Sequence, residues 1–137
     1  MTTHIDAQCI ACTHPRRVDL EQSAEVHGAE RTARRFRIGP RVLSVHLSHH
    51  MVPMPVWREA ACQQAPWLFD ADLVRVGTPD ADAAFDLCMG CADLDACRAR
   101  GEAHEVTGIW GGLHIIRAHD GARRIRDLGD GSIMQVA

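Results

Sequence analysis

Cys88-Met89-Gly90-Cys91-Ala92-Asp93-Leu94-Asp95-Ala96-Cys97 places three thiols within ten residues, and twenty-five residues separate Cys88 from the next cysteine upstream, Cys62. A structural zinc site normally draws on two short knuckles, and this region has one. One remote cysteine with three clustered ones suits an iron–sulfur cluster better, because each thiolate binds a different iron and the sulfurs need not converge on a point. The spacing favours a cluster and leaves zinc open.

Working outward, the two remaining cysteines, Cys9 and Cys12, lie far upstream in a second CxxC. The 137-residue chain is 46% hydrophobic and 4% aromatic, and Arg supplies all fifteen basic groups against eighteen carboxylates. Residues 1–58 carry eight Arg and five carboxylates, while residues 59–107 carry three Arg and ten carboxylates. A net charge of −3 therefore hides a basic module joined to an acidic one. Met51-Val52-Pro53-Met54-Pro55 is the expected hinge, since the prolines stop a preceding helix. The expected organisation is a module over 1–52, a second over 57–117 and a C-terminal tail over 118–137. Modules this small rarely bury enough apolar surface to be stable alone, so metal is expected to complete both folds. The expected class is mostly α. No apolar run reaches the roughly 20 residues of a membrane helix. The N-terminus lacks the basic start and apolar stretch of a signal peptide. A cytoplasmic protein with no membrane partner is expected, and its cysteines read as metal ligands or redox thiols rather than a disulfide frame.

In the first module the Cys9–Cys12 knuckle precedes His46, His49 and His50. His46 and His50 are four apart and share a face of a helix, so they can complete a Cys2His2 zinc site, with His49 nearly as well placed. His14, before Pro15, reads as a cap, a spare ligand or a turn residue. Helices are expected from Arg16 to Val26, ending near Gly28, from Glu30 to Phe36, and from Pro40 to His50. Arg37-Ile38-Gly39 forms the turn between the last two. Val42, Leu43 and His46 lie toward one side of the third helix, leaving Arg41, Ser44, Leu47 and Ser48 to project elsewhere. This is the spacing of a helix-turn-helix. Arg34, Arg35 and Arg37 would then sit against phosphates, with Arg41 and Ser44 near the start of the recognition helix. A solvated Arg face is the alternative. The segments CIACTHPRR, TARRFRIGP and SVHLSHHM resemble the zinc-knuckle helix-turn-helix modules of bacteria and phages. Arg37 stands where Gly is usual in them, and Gly39 replaces the usual Ser cap.

In the second module, Trp57-Arg58-Glu59-Ala60-Ala61-Cys62 is followed by Pro66-Trp67-Leu68-Phe69-Asp70, then by the cysteine cluster, then by Gly108-Ile109-Trp110-Gly111-Gly112-Leu113. From about 57 to 117 this set resembles the WhiB-like family of actinobacterial and actinophage transcription regulators. The resemblance implies a 4Fe-4S cluster on Cys62, Cys88, Cys91 and Cys97 and a mostly helical fold. It also implies docking onto the C-terminal region of the primary sigma factor, with the Gly108–Gly112 turn and its Trp110 at or near the contact. Three glycines around an Ile-Trp pair let the chain reverse tightly, and the indole either packs as core or is presented to a partner. The chain departs from the family at Ala92, where Pro is common, in a slightly short stretch from Cys97 to Gly108, and in a tail whose Arg117, Arg123, Arg124 and Arg126 are diluted by acids. DNA contact is therefore expected from the N-terminal module. Arg123, Arg124 and Arg126 read as phosphate contacts or as a solvated helix end.

Enzyme signals are weak. There is no Gly-rich phosphate loop, no nucleophile elbow and no convincing carboxylate pair, and Asp80 and Asp82 beside Pro79 read as turn and cap residues. The expected function is a DNA-binding transcription regulator with no small-molecule substrate, in which the cluster can serve redox or nitric oxide sensing. The alternatives are a protein disulfide reductase using Cys88 and Cys91 after cluster loss, and a zinc adaptor with purely structural metal in both halves.

Overall fold

The computed structural model describes residues 7–57, 59–70 and 72–134, and the chain separates into two compact units, Met1–Val52 and Pro53–Ala137. The first is a three-helix unit. Helix α1 spans Arg17–His27, α2 Ala29–Phe36 and α3 Pro40–His49. Gly28 ends α1 at φ 84°, donating its N–H to Ala24 O at 2.9 Å. His14 accepts the backbone N–H of Arg16 on Nδ1 at 3.0 Å, so it acts as a turn cap ahead of α1. Arg37 closes α2 in the left-handed region at φ 57°, where its N–H reaches Ala33 O and Arg34 O. A non-glycine residue there costs about 1–2 kcal/mol, which the carbonyls satisfied at the end of α2 help to offset. Pro40 then opens α3, where its missing N–H is no loss.

The core of this unit is thin. Leu20, Ala24, Ala33 and Leu43 meet beneath the buried Ala11, Cys9 and Cys12, with Ala29, Phe36, Ile38 and Leu47 packed around them. Leu47 thus faces the core rather than projecting away, and Val45 takes the exposed place at 43%. Leu47 stands one turn beyond Leu43 and meets the same neighbours.

The second unit is not purely helical: a small antiparallel sheet joins its helices, so the mostly α expectation holds in part. Two single-turn 3₁₀ helices, Ala61–Gln64 and Pro66–Phe69, lead to α4 (Pro79–Met89) and α5 (Leu94–His104). Thr78, not Asp80 or Asp82, caps α4, accepting the Ala81 N–H at 3.3 Å, while the two acids occupy the first turn, where the helix dipole favours them. Four antiparallel strands follow in the order β1-β2-β3-β4: Gly108–Trp110, Leu113–Arg117, Arg123–Asp127 and Ile133–Met134. Residues 118–134 therefore carry two strands of a sheet, and Arg123, Arg124 and Arg126 lie on one of them instead of at a helix end.

Trp110 pairs with Leu113 across a two-residue loop in which Gly111 and Gly112 have φ 56° and 79°. Both signs are those of a type I′ hairpin turn, which matches the twist of the strands it joins. Leu113, Ile115 and Ile125 bury one sheet face with Trp110 and Met134 packed against them. Val74, Ala81, Ala84, Cys88, Ile109 and Leu128 form the neighbouring core. Arg123 donates to the carbonyls of Gly101 at 3.1 Å and Glu102 at 2.6 Å, so it ties β3 to the C-terminal turn of α5.

Candidate metal centres

The knuckle and α3 bring Cys9, Cys12, His46 and His50 together, and their four donor atoms lie within 4.8 Å of one another. Thr13 N–H bonds back to Cys9 O at 3.1 Å, closing the turn that sets the two thiols side by side. His46 Nδ1 lies 3.2 Å from Cys12 Sγ and 3.8 Å from Cys9 Sγ, and His50 Nδ1 lies 3.4 Å from Cys12 Sγ. A tetrahedral zinc with sulfur at 2.3 Å and nitrogen at 2.0–2.1 Å sets sulfur and nitrogen about 3.6 Å apart, so the spacing fits one ion. His49 is exposed, and the group contains His50 in its place. The group is a Cys2His2 set able to hold a metal ion such as zinc. Cys9, Cys12 and His46 are buried and His50 is half-buried, so water has little access.

Three segments of the second unit carry Cys62, Cys88, Cys91 and Cys97. Cys62 is in the first 3₁₀ turn, Cys88 in the last turn of α4, Cys91 in the link after it, and Cys97 in the first turn of α5. All four line one pocket with Trp57, Phe69, Leu87, Leu94, Ile109 and Gly111. Among the described residues no two cysteines are joined in a disulfide. Among the described residues, only the first set draws its donors as close as a single ion requires.

Burial pushes the Cys97 thiol up to about 12, against the opposing pull of a hydrogen bond from the Gly111 backbone. Burial likewise pushes Cys88 up to about 11 despite a hydrogen bond from the Gly112 backbone. Cys62 is raised too, by burial first and then by the nearby Cys91. Cys97 stands at a helix N-terminus, which favours a thiolate, yet desolvation and neighbouring sulfurs outweigh that help. Four thiolates gathered in so apolar a place repel one another, and a cationic group between them would relieve the repulsion. In protein stripped of metal and kept reduced, iodoacetamide labelling is expected to keep rising with pH up to about 11 for Cys88 and about 12 for Cys97, where an ordinary thiol levels off near 9. A thiol raised this way keeps its proton in the folded chain after the unfolded chain has lost it. Stability of this unit is then full below about pH 9 and declines as the pH rises toward 11–12. Urea midpoints that stay flat from pH 8 to 11 would contradict it.

The Gly111–Gly112 turn is held against α5. Arg98, next to Cys97, donates to Gly111 O at 3.3 Å and to Asp127 Oδ2 at 2.8 Å. Of the turn residues, Ile109, Gly111 and Gly112 are buried, whereas Gly108 and Trp110 are half-exposed. The Trp110 indole donates to Thr107 O at 3.2 Å and lies tilted against Trp57, ring centres 6.3 Å apart. A Cβ on Gly101 would overlap Trp110 Cβ and come within 2.8 Å of its Cγ, so one side of this tryptophan is packed onto α5.

Arg34, Arg35, Arg37, Arg41 and Ser44 are all exposed on or beside α2 and α3. Arg34 pairs with Glu30 at 3.3 Å, and Arg35 lies over the Phe36 ring at 5.8 Å. Arg41 and Ser44, three apart, share one side of α3 with the exposed Val45 and Ser48.

Two residues and one contact escaped sequence reasoning. Glu21, at the first centre, follows Leu20 on a helix that otherwise reads as solvated on that side; only its three-residue offset from buried Ala24 hinted at an inward position. Arg98 could have been suspected from its place beside Cys97. The Trp57–Trp110 contact joins residues too far apart in the chain for any pattern to reveal. Among the described residues no helix is long and apolar enough to cross a membrane. Comparison with family models, curated proteins and solved structures finds no match to this chain.

Proposed function

We propose that the chain is a DNA-binding transcription regulator of the WhiB-like type, with zinc on Cys9, Cys12, His46 and His50 and a 4Fe-4S cluster on Cys62, Cys88, Cys91 and Cys97. The observation that carries the reading is the gathering of four cysteines from three segments around one apolar pocket, without the close convergence of the first set. That donor set suits a cage in which each sulfur meets its own iron. When bound, such a cluster supplies one-electron chemistry and reactivity toward oxygen and nitric oxide. The chain's own residues do the rest. Trp57, Phe69, Leu87, Leu94 and Ile109 limit water, and the Gly111 and Gly112 amides offset thiolate charge on Cys97 and Cys88.

In this reading α3 is the recognition helix. Arg41 and Ser44 approach the groove, and Arg34, Arg35 and Arg37 approach phosphates. The half-exposed Trp110, backed by Trp57, is the anchor for the C-terminal region of the primary sigma factor. Thiols held as high as Cys88 and Cys97 are poor nucleophiles near neutral pH, which argues against a disulfide reductase. Anaerobic purification tests the proposal. A brown protein with about four irons, as many sulfides, and one zinc per chain is expected from the cluster stoichiometry. Colourless protein with two zincs would instead make it an adaptor with structural metal only. Insulin-reducing turnover lost on Cys88→Ser would make it a reductase.

A further inference from the structure

The first centre contains a carboxylate that its four donors do not require. Glu21 on α1 is 3% exposed, and its Oε1 lies 2.7 Å from Nε2 of His46, itself fully buried. The other ring nitrogen, Nδ1, is the one that faces Cys12 and Cys9. A neutral imidazole has one lone-pair nitrogen and one N–H, and the partner of each nitrogen decides which is which. We propose that Glu21 is the outer carboxylate of this centre, accepting the His46 Nε2–H and so fixing Nδ1 as the nitrogen that binds the metal. The inference rests on the reading of Cys9, Cys12, His46 and His50 as a zinc site.

Magnitudes separate this role from an ordinary ion pair. Arg17 Nη1, one turn back on α1, stands 3.8 Å from Glu21 Oε1, against 2.7 Å for His46. A carboxylate removed from water needs close partners, and at Oε1 the imidazole is the nearer of these two. Packing alone gives no reason for an acid here, since Leu20 and Ala24 on the same helix are buried apolar residues and a third would serve as well. The carboxylate makes sense where an imidazole must hold one tautomer and one orientation.

The arrangement also makes α1 part of the centre. The knuckle supplies two sulfurs and the α3 end of the unit two nitrogens, whereas α1 supplies no direct ligand. Through Glu21, α1 is bonded to the same imidazole that bonds the metal. Ser23 Oγ and Thr32 Oγ1, 3.1 Å apart, then link α1 to α2. Metal occupancy and the packing of the helix-turn-helix on α1 are thereby coupled.

Long-range ¹H–¹⁵N spectra of the zinc-loaded full chain, labelled on histidine and assigned with His46→Gln, read the tautomer directly. His46 is expected to show a metal-bound Nδ1 and a protonated Nε2. The zinc-bound His46 signal, followed against a competing chelator, gives the affinity of this centre alone. Glu21→Gln keeps the size and an acceptor oxygen but removes the charge, and is expected to lower zinc affinity by about ten- to a hundredfold at full helical content under excess zinc. Zinc on Nε2 of His46, or unaltered affinity in a folded Glu21→Gln protein, would overturn the role of Glu21 while leaving the zinc site intact. If His46 of the unaltered chain shows no response to zinc, the centre itself fails, and Glu21 with it. Should Glu21→Gln not fold, the tautomer in the unaltered chain still decides.

Discussion

Gly111→Ala is expected to destabilise the second unit by about 2–5 kcal/mol, a large part of the roughly 5–15 kcal/mol that holds a domain together. Two costs combine. The residue sits at φ 56°, where a side chain adds strain, and an added Cβ would lie 2.6 Å from Arg98 N and 2.7 Å from its Cα. Both neighbours are backbone of α5, which cannot swing aside as a side-chain tip can. Relief would require the hairpin to lift from the helix, and the Gly111 amide would then withdraw from Cys97. Gly121→Ala is the matched control, because its φ is 81° but nothing lies within 4 Å of the new Cβ. Strain alone should cost that variant about 1 kcal/mol. Urea unfolding of both, followed by tryptophan fluorescence, separates the terms. Equal midpoints would mean that the turn is not seated on α5 and that the glycine serves only the hairpin.

The same turn shows where sequence reasoning stopped. Gly111-Gly112 was legible as a chain reversal, because consecutive glycines admit positive φ. The strands on either side were not, since β1 has three residues and β4 two, too short for alternation to register. Gly-Gly flanked by Ile109 and Ile115 is nonetheless a hairpin signal, and Leu113 and Ile115 alternate with His114 and Ile116 as a half-buried strand should. In β3 a single buried apolar residue, Ile125, stands among Arg123, Arg124, Arg126 and Asp127, so charge masked the pattern. The three helices of the first unit were legible because local chemistry sets their ends: Gly28 after α1, Arg37 at the α2–α3 turn, Pro40 at the start of α3. The Cys9, Cys12, His46 and His50 set was legible for a similar reason, since a CxxC turn and an i, i+4 pair fix donor spacing without knowledge of the fold. Glu21 was not, because only the packing of α1 against α3 brings a carboxylate to a histidine twenty-five residues away. Contacts of that kind depend on the folded whole.

Cys12→Ser is expected to unfold the first unit while the second stays folded. Cys12 Sγ is the sulfur nearest both imidazoles, so its loss should remove the ion as well as one ligand. Against that loss the unit can set little. Leu20 and Leu43 are its only large, fully buried apolar side chains among the described residues, and each alanine beneath them adds far less apolar area. Structural zinc sites contribute apparent binding free energies of about 10–16 kcal/mol near neutral pH, more than a core of this size can replace. The two units carry separate reporters. All three tryptophans, Trp57, Trp67 and Trp110, belong to the second unit, whereas α1, α2 and α3 belong to the first. Far-ultraviolet dichroism of the variant should therefore lose the α1–α3 share of its helical signal, while the tryptophan emission maximum stays where it was. DNA retention, if it depends on α3, should vanish with the helices. A variant that bound no zinc and kept its full helical signal would show that the apolar core suffices and that the metal is an ornament to a fold already made. One that kept zinc through His46, His50, Cys9 and the new hydroxyl should bind it more weakly, since a neutral serine oxygen is a far poorer zinc ligand than a thiolate, and it would unfold at chelator concentrations the unaltered chain withstands.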